Sequence, residues 1–131
     1  MILDSSYLFD LLADDPDAFS KGVELVDRGE VQRLPTPVIA ETHYGVATAR
    51  STTTGREVRN RLLGYPRVEV DEAVARTAGE LLAAADDAAG GNAGVGPNDA
   101  YVAAMADLGD DAVLTANVDD FETLGVPVET Y

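Results

Sequence analysis

The 131-residue chain has no cysteine, a single histidine, His43, and a single lysine, Lys21. Without cysteine it can form neither disulfides nor thiolate metal sites. One histidine excludes a multi-histidine zinc centre. Any metal would be held by oxygen, which points to magnesium or manganese. No apolar run approaches the roughly 20 residues needed to span a bilayer, and no basic-then-apolar leader precedes the first strand-like run. The expectation is a soluble, cytoplasmic protein with no membrane partner. Neither a Ser-His-Asp arrangement nor a P-loop is present.

Positive charge is also scarce. Against 24 acids stand 9 bases, for a net charge of −15 and a pI near 4.1. Aspartate pairs such as Asp14-Asp15, Asp86-Asp87, Asp110-Asp111 and Asp119-Asp120 fall near turns and element ends. The bulk of this charge reads as a solvated, halophile-like acidic surface. At about 1 M salt the Debye length is roughly 3 Å, so such a surface does not repel a polyanion at a distance. In dilute buffer it does. Net charge therefore neither supports nor excludes a nucleic-acid substrate.

Length and a hydrophobic fraction of 46% fit one domain, residues 1–131. The chain reads as alternating strands and helices with no internal repeat. Residues 1–4 form a short buried strand and 7–13 a helix. Asp15-Pro16 caps and opens a helix to about residue 28, ended by Gly29. Residues 31–34 form a second strand, and Thr36-Pro37 cap and open a helix to about residue 50. A polar loop, 51–55, precedes a short helix at 56–63, which Gly64 and Pro66 stop. Residues 68–70 are a third strand. Asp71 caps a long helix whose Val74, Ala78, Leu81, Leu82, Ala85 and Ala89 follow the helical period. After a glycine-rich connection, residues 96–99 open a helix to about residue 108. Residues 112–115 form a fourth strand and 126–129 a possible fifth. This order predicts a three-layer α/β/α fold with a central, mostly parallel sheet of four to five strands.

In such folds, sites form beyond the carboxyl ends of the strands. Asp4 ends the first strand, and Glu41 lies early in the helix after the second. Asp99 lies in the first turn of its helix, while Asn117, Asp119 and Asp120 follow the fourth strand. Each has an ordinary reading: Asp4 as a helix cap, Asp99 as a complement to the helix dipole, Glu41, Asp119 and Asp120 as surface charge. Gathered together, several carboxylates need compensation, which one or two divalent cations about 3.5–4 Å apart supply. A water acidified by such an ion can attack phosphorus without a covalent protein intermediate.

Local motifs favour the shared site. Ile2-Leu3-Asp4-Ser5-Ser6-Tyr7-Leu8 resembles the opening of PIN-domain nucleases. The run from Val38 to Val46, with Glu41 followed by Tyr44 and Gly45, resembles their second motif. Asn98-Asp99-Ala100-Tyr101-Val102-Ala103-Ala104 is similar to the third, and Leu114-Thr115-Ala116-Asn117-Val118-Asp119-Asp120-Phe121 to the fourth. Their order covers essentially the whole chain, and its length is most similar to the VapC-type toxins of toxin–antitoxin pairs. The resemblance implies a Mg2+- or Mn2+-dependent endoribonuclease, commonly a homodimer inhibited by a VapB-type antitoxin. It implies Asp4 and Asp99 as principal metal ligands and Glu41 as a third acid. Ser6 would hydrogen-bond near Asp4, and Thr115 would orient the fourth-motif loop. Many members have aspartate at Asn117; Asp120, three residues on, is the other candidate to supply that carboxylate, and the choice between them stays open. A housekeeping RNA-processing nuclease and a non-catalytic PIN-like module that binds RNA or a partner are the alternatives. A phosphoacceptor receiver domain is disfavoured because it needs a late lysine.

Arg50, Arg56, Arg59, Arg61 and Arg67 crowd five of the nine bases into 18 residues. Arginine suits bidentate phosphate contact, so Arg50, Arg56 and Arg59 are candidate RNA-binding residues; ion pairs with residues such as Glu57 are the alternative. His43, two residues past Glu41, should point about 200° away from it on a helix and serve packing or surface. Tyr44 and Tyr101 read as core or dimer contacts. The apolar runs 7–12 and 19–26 offer dimer or antitoxin surface, or simply core.

Overall fold

The computed structural model of the chain describes residues 1–49 and 52–131. Five short strands alternate with seven helices among them. These are β1 (Ile2–Leu3), α1 (Ser5–Leu12), α2 (Pro16–Asp27), β2 (Leu34–Pro35), α3 (Thr36–Thr48) and α4 (Gly55–Leu62). There follow β3 (Arg67–Val68), α5 (Glu72–Ala88), α6 (Pro97–Leu108), β4 (Val113–Leu114), α7 (Val118–Thr123) and β5 (Val128–Glu129).

All strand pairings are parallel. β1 pairs with β4 in the register Ile2 to Val113, β4 with β5, and β2 with β3. A parallel bridge between Ile2 and Arg33 joins the two groups, through Leu3 N to Arg33 O at 2.9 Å and Arg33 N to Met1 O at 2.8 Å. The order is therefore β3-β2-β1-β4-β5. The chain builds outward from β1 in one direction, then returns to build in the other. β1 and β4 flank the switch point, where a crevice opens beyond the strand ends. Asp4 leaves β1 there, and residues 115–117 leave β4 there.

Strands buried on both faces must be apolar on both. Ile2, Leu3, Leu34, Val113 and Leu114 meet this requirement and are buried. The edge strands β3 and β5 are more exposed. Helix α6 lies against β1, β4 and α5. Ala100, Val102, Ala103, Ala104, Met105 and Ala106 are all buried, so it is covered nearly all round. Its small side chains let its neighbours come close, and its N-terminus with Asp99 stays at the crevice. The single lysine ties α2 to β5: Lys21 Nζ, largely buried, meets Glu129 at 2.6 Å and Glu24 at 3.1 Å.

Three-layer α/β/α architecture and a parallel sheet agree with the sequence expectation, and the fifth strand is present. The strand bounds shift, β2 to Leu34–Pro35 from the expected 31–34 and β3 to Arg67–Val68 from 68–70, and two further local readings change. Thr36 is the first residue of α3 rather than its cap; buried β2 runs directly into the helix, and Pro35 holds the cap position without a side-chain hydrogen bond. Residues 118–123 are helical rather than loop. Among the described residues no helix is long and apolar enough to cross a membrane.

Candidate active site

Asp4 is the N-cap of α1 and is only 3% exposed. A buried carboxylate needs hydrogen bonds, and this one receives them at one oxygen. Oδ2 accepts from Ser6 Oγ at 2.7 Å, from Thr115 Oγ1 at 2.7 Å and weakly from the Ser6 amide at 3.4 Å. The two hydroxyls lie 3.0 Å apart. Each has one proton, and with both protons directed at Asp4 that approach is a close contact. Backbone amides complete the clamp: Ala116 N donates to Ser6 Oγ at 3.0 Å and Asn117 N to Thr115 Oγ1 at 2.8 Å. Asp4 is thus both the cap of α1 and a buried carboxylate at the end of β1. Among the described residues no hydrogen bond uses its Oδ1.

Asp99 stands half-buried in the first turn of α6. The helix dipole favours its charged form. Burial, then Asp4, Glu41 and Asp120, oppose that charge more strongly and push its pKa up to about 6. That three acids from α1's cap, α3 and α7 all act on Asp99 places the four in one field. Glu41 is held by Asn98 Nδ2 at 3.0 Å, and Asp120 by Asn117 Nδ2 at 2.5 Å. Asp119 is exposed and belongs to the outer surface of α7. The sequence does not single out Asn98, although it adjoins Asp99; its bond to Glu41 spans 57 positions.

Among the described residues, no three Asp, Glu or His side chains are drawn together tightly enough to form a ready-made metal cage. The donors are nevertheless those of a hard cation: carboxylate oxygens, one of them open, and an amide oxygen. Hard divalent cations are commonly held by one or two carboxylates and several waters, and the set fits such a cation. His43 turns elsewhere; a Cβ at Gly55, at the start of α4, would lie 3.8 Å from its Nδ1. It packs between helices, as its spacing from Glu41 requires.

The arginine cluster divides. Arg61 reaches Asp14 at 3.3 Å and the Leu11 carbonyl at 3.1 Å. Arg67 donates to the carbonyls of Leu62 and Tyr65. Both act locally. Arg56 and Arg59 are exposed on α4 and make no ion pair among the described residues. Glu57 does not engage them, because it closes a capping box with Thr54. Arg50 lies outside the described residues. Tyr101 packs partly buried against the core, whereas Tyr44 is 72% exposed.

No curated protein matches the chain. Solved structures share the fold. The chain is similar to VapBC2 from Rickettsia felis bound to a DNA fragment from its promoter, at 19% identity over 99% of this chain and 97% of that one, with a TM-score of 0.80. It is similar to DNA-bound VapBC from Salmonella typhimurium, at 21% identity over 98% and 96%, TM-score 0.77. FitAcB from Neisseria gonorrhoeae is alike at 22% identity over 97% and 94%, TM-score 0.71. The family profile described as PIN domain matches residues 1–126. With the crevice acids, their order along the chain and this match over almost its whole length, the chain belongs to the PIN domain family.

Proposed function

We propose that the protein is a Mg2+- or Mn2+-dependent endoribonuclease and the toxin of a VapBC-type pair. The observation that carries the reading is the buried Asp4 carboxylate, fixed through Oδ2 by two hydroxyls and close enough, with Glu41 and Asp120, to act on the charge of Asp99. When bound, the cation supplies an acidified water and neutralises charge on the phosphate. Asp4 and Asp99 hold it. Glu41, kept in place by Asn98, orients water or completes the ligand set. Asp120 is the fourth acid, and Asn117 holds Asp120. Ser6 and Thr115 fix Asp4 and the β4–α7 loop. Arg56 and Arg59, with Arg50, hold the RNA backbone.

A VapB-type antitoxin is the partner this reading requires. Phe19 and Val26 of α2 are each 66% exposed; Phe19 lines a cavity of about 460 Å³ with Leu8, Leu11, Leu62 and Tyr65, while Phe19 and Val26 both line a neighbouring one of about 630 Å³. An apolar patch of this kind marks a protein interface, and an apolar antitoxin segment suits it. A homodimer accompanies the same reading.

The test is cleavage of structured RNA with Mn2+ over a broad salt range. Wild type should cut, and Asp4→Asn and Asp99→Asn should each lose on the order of a hundredfold or more, since the metal is worth several kcal/mol of transition-state stabilisation. Equal behaviour of wild type and variants would remove catalysis from this site and favour a non-catalytic RNA-binding module.

A further inference from the structure

Tyr44 sits on the exposed side of α3, three residues past Glu41, and no core contact explains it. Residues at this spacing have Cβ atoms about 5–6 Å apart. Across from it, Phe9 of α1 is 36% exposed and lies over Gly45. A Cβ at Gly45 would come within 2.5 Å of the Phe9 ring, so only glycine lets the ring rest there. Ser5, Phe9, Glu41, Tyr44, Gly45 and Asn98 line a groove of about 570 Å³. Phe9 and Gly45 also line a second, smaller depression that includes Val46, Ala49 and Thr53. Helix α4 carries the exposed Arg56 and Arg59.

We infer that this groove is a nucleobase subsite in which one base of the RNA stacks on Tyr44, with Phe9 as the adjoining wall. The inference rests on the nuclease reading above. A strand whose phosphate is held beside Glu41 meets this groove, because Glu41 itself lines it. Tyr44 lies one helical turn from Glu41, and both line the groove. Aromatic rings stack on any base, and the Asn98 amide at the groove's end can meet a base edge. Continuity favours this occupant: the groove is lined by Glu41 and Asn98, which belong to the acidic cluster itself.

Single-stranded adenosine hexaribonucleotides, intact or with one abasic position, provide the probe. Binding is measured by fluorescence anisotropy with Ca2+ in place of Mn2+, and steady-state cleavage with Mn2+. Tyr44→Ala should weaken binding of the intact hexamer on the order of tenfold and raise KM with little change in kcat, as loss of uniform binding does. Tyr44→Phe should bind as wild type does. One abasic position should cost wild type a similar factor and cost Tyr44→Ala nothing further. If Tyr44→Ala binds and cleaves like wild type, the subsite is overturned and the nuclease reading stands. The subsite is equally overturned if the substitution only changes the oligomeric state in light scattering. If wild type neither binds nor cleaves any hexamer or structured RNA, both readings fall. Tyr44 is exposed, so its variants should fold.

Discussion

The Asn117 side chain donates to Asp120 Oδ2 across 2.5 Å, so the two fourth-motif candidates for the site are one unit. Asn117 precedes α7 and is exposed, while Asp120 is half-buried and acts on Asp99. An amide that directs its nitrogen at a carboxylate serves to hold it. Partners that orient metal ligands are worth about 10- to 100-fold in affinity. Asn117→Ala should therefore weaken Mn2+ binding about tenfold, and Asp120→Asn by at least as much. The double variant should bind no more weakly than Asp120→Asn alone, because Asn117 acts through Asp120. Titration calorimetry on the four proteins completes the cycle. Losses that multiply in the double variant would make Asn117 a ligand in its own right.

Thr115 and Ser6 give a second prediction, on stability. Each donates to the same oxygen of a buried carboxylate. A hydrogen bond to a charged group contributes about 1.5–3 kcal/mol. Thr115→Val should cost about 2 kcal/mol in urea unfolding of the metal-free protein near neutral pH, whereas Thr115→Ser should cost under about 1 kcal/mol. In an Asp4→Asn background the cost of Thr115→Val should fall, since the acceptor no longer carries full charge. An undiminished cost there would mean that Thr115 acts by packing or by its bond to the Asn117 amide.

The pH dependence of Asp99 has a definite sign. Burial, Asp4, Glu41 and Asp120 raise its pKa to about 6 in the fold, against about 3.9 in an unfolded chain. The folded chain binds this proton more tightly. The stability it contributes is full below about pH 4 and is lost as pH rises through about 6. In metal-free protein, Asp99→Asn should therefore melt a few degrees above wild type at about pH 7.5, with the gap closing toward pH 4. Metal reverses the order by stabilising only the wild type. Mn2+ binding below about pH 6 must displace the Asp99 proton. Calorimetry at about pH 5.5 in two buffers of different ionisation enthalpy should show most of one proton released per Mn2+. Binding without proton release would remove Asp99 from the ligand set.

The sequence carries the fold wherever a signal is local. Asp15-Pro16, Asp71 and Gly96-Pro97 mark helix starts by capping and proline geometry alone. The apolar runs mark strands because a parallel sheet is covered on both faces. Helix α7 is hard to read because six residues are too few to show a helical period. Its weaker marks are Asp119 and Asp120 in its first turn and Gly125 at positive φ just past its end. At the site, placing Asp4, Glu41, Asp99 and Asp120 needs only topology. Assigning Asn98 to Glu41 and Asn117 to Asp120 needs side-chain directions, which spacing does not provide. The arginine cluster is least legible, because what separates Arg61 and Arg67 from Arg56 and Arg59 is tertiary: Asp14, the Leu11 carbonyl and the carbonyls at the end of α4.

That division yields the last prediction. If Arg56 and Arg59 hold phosphate, replacing either with glutamine should weaken RNA binding and flatten its salt dependence. The slope of log K against log salt should shrink by roughly 0.7 for each phosphate of a single strand that is no longer neutralised. Charge reversal at both should weaken binding further, whereas the glutamine variants should keep the fold, since neither arginine makes an ion pair among the described residues. Arg61→Gln supplies the contrast. Its partner Asp14 is 82% exposed, so the pair should contribute under about 1 kcal/mol, and the RNA salt slope should not change. Equal slopes for Arg56→Gln, Arg59→Gln and wild type would turn the RNA path away from α4, whatever the fate of the acidic site.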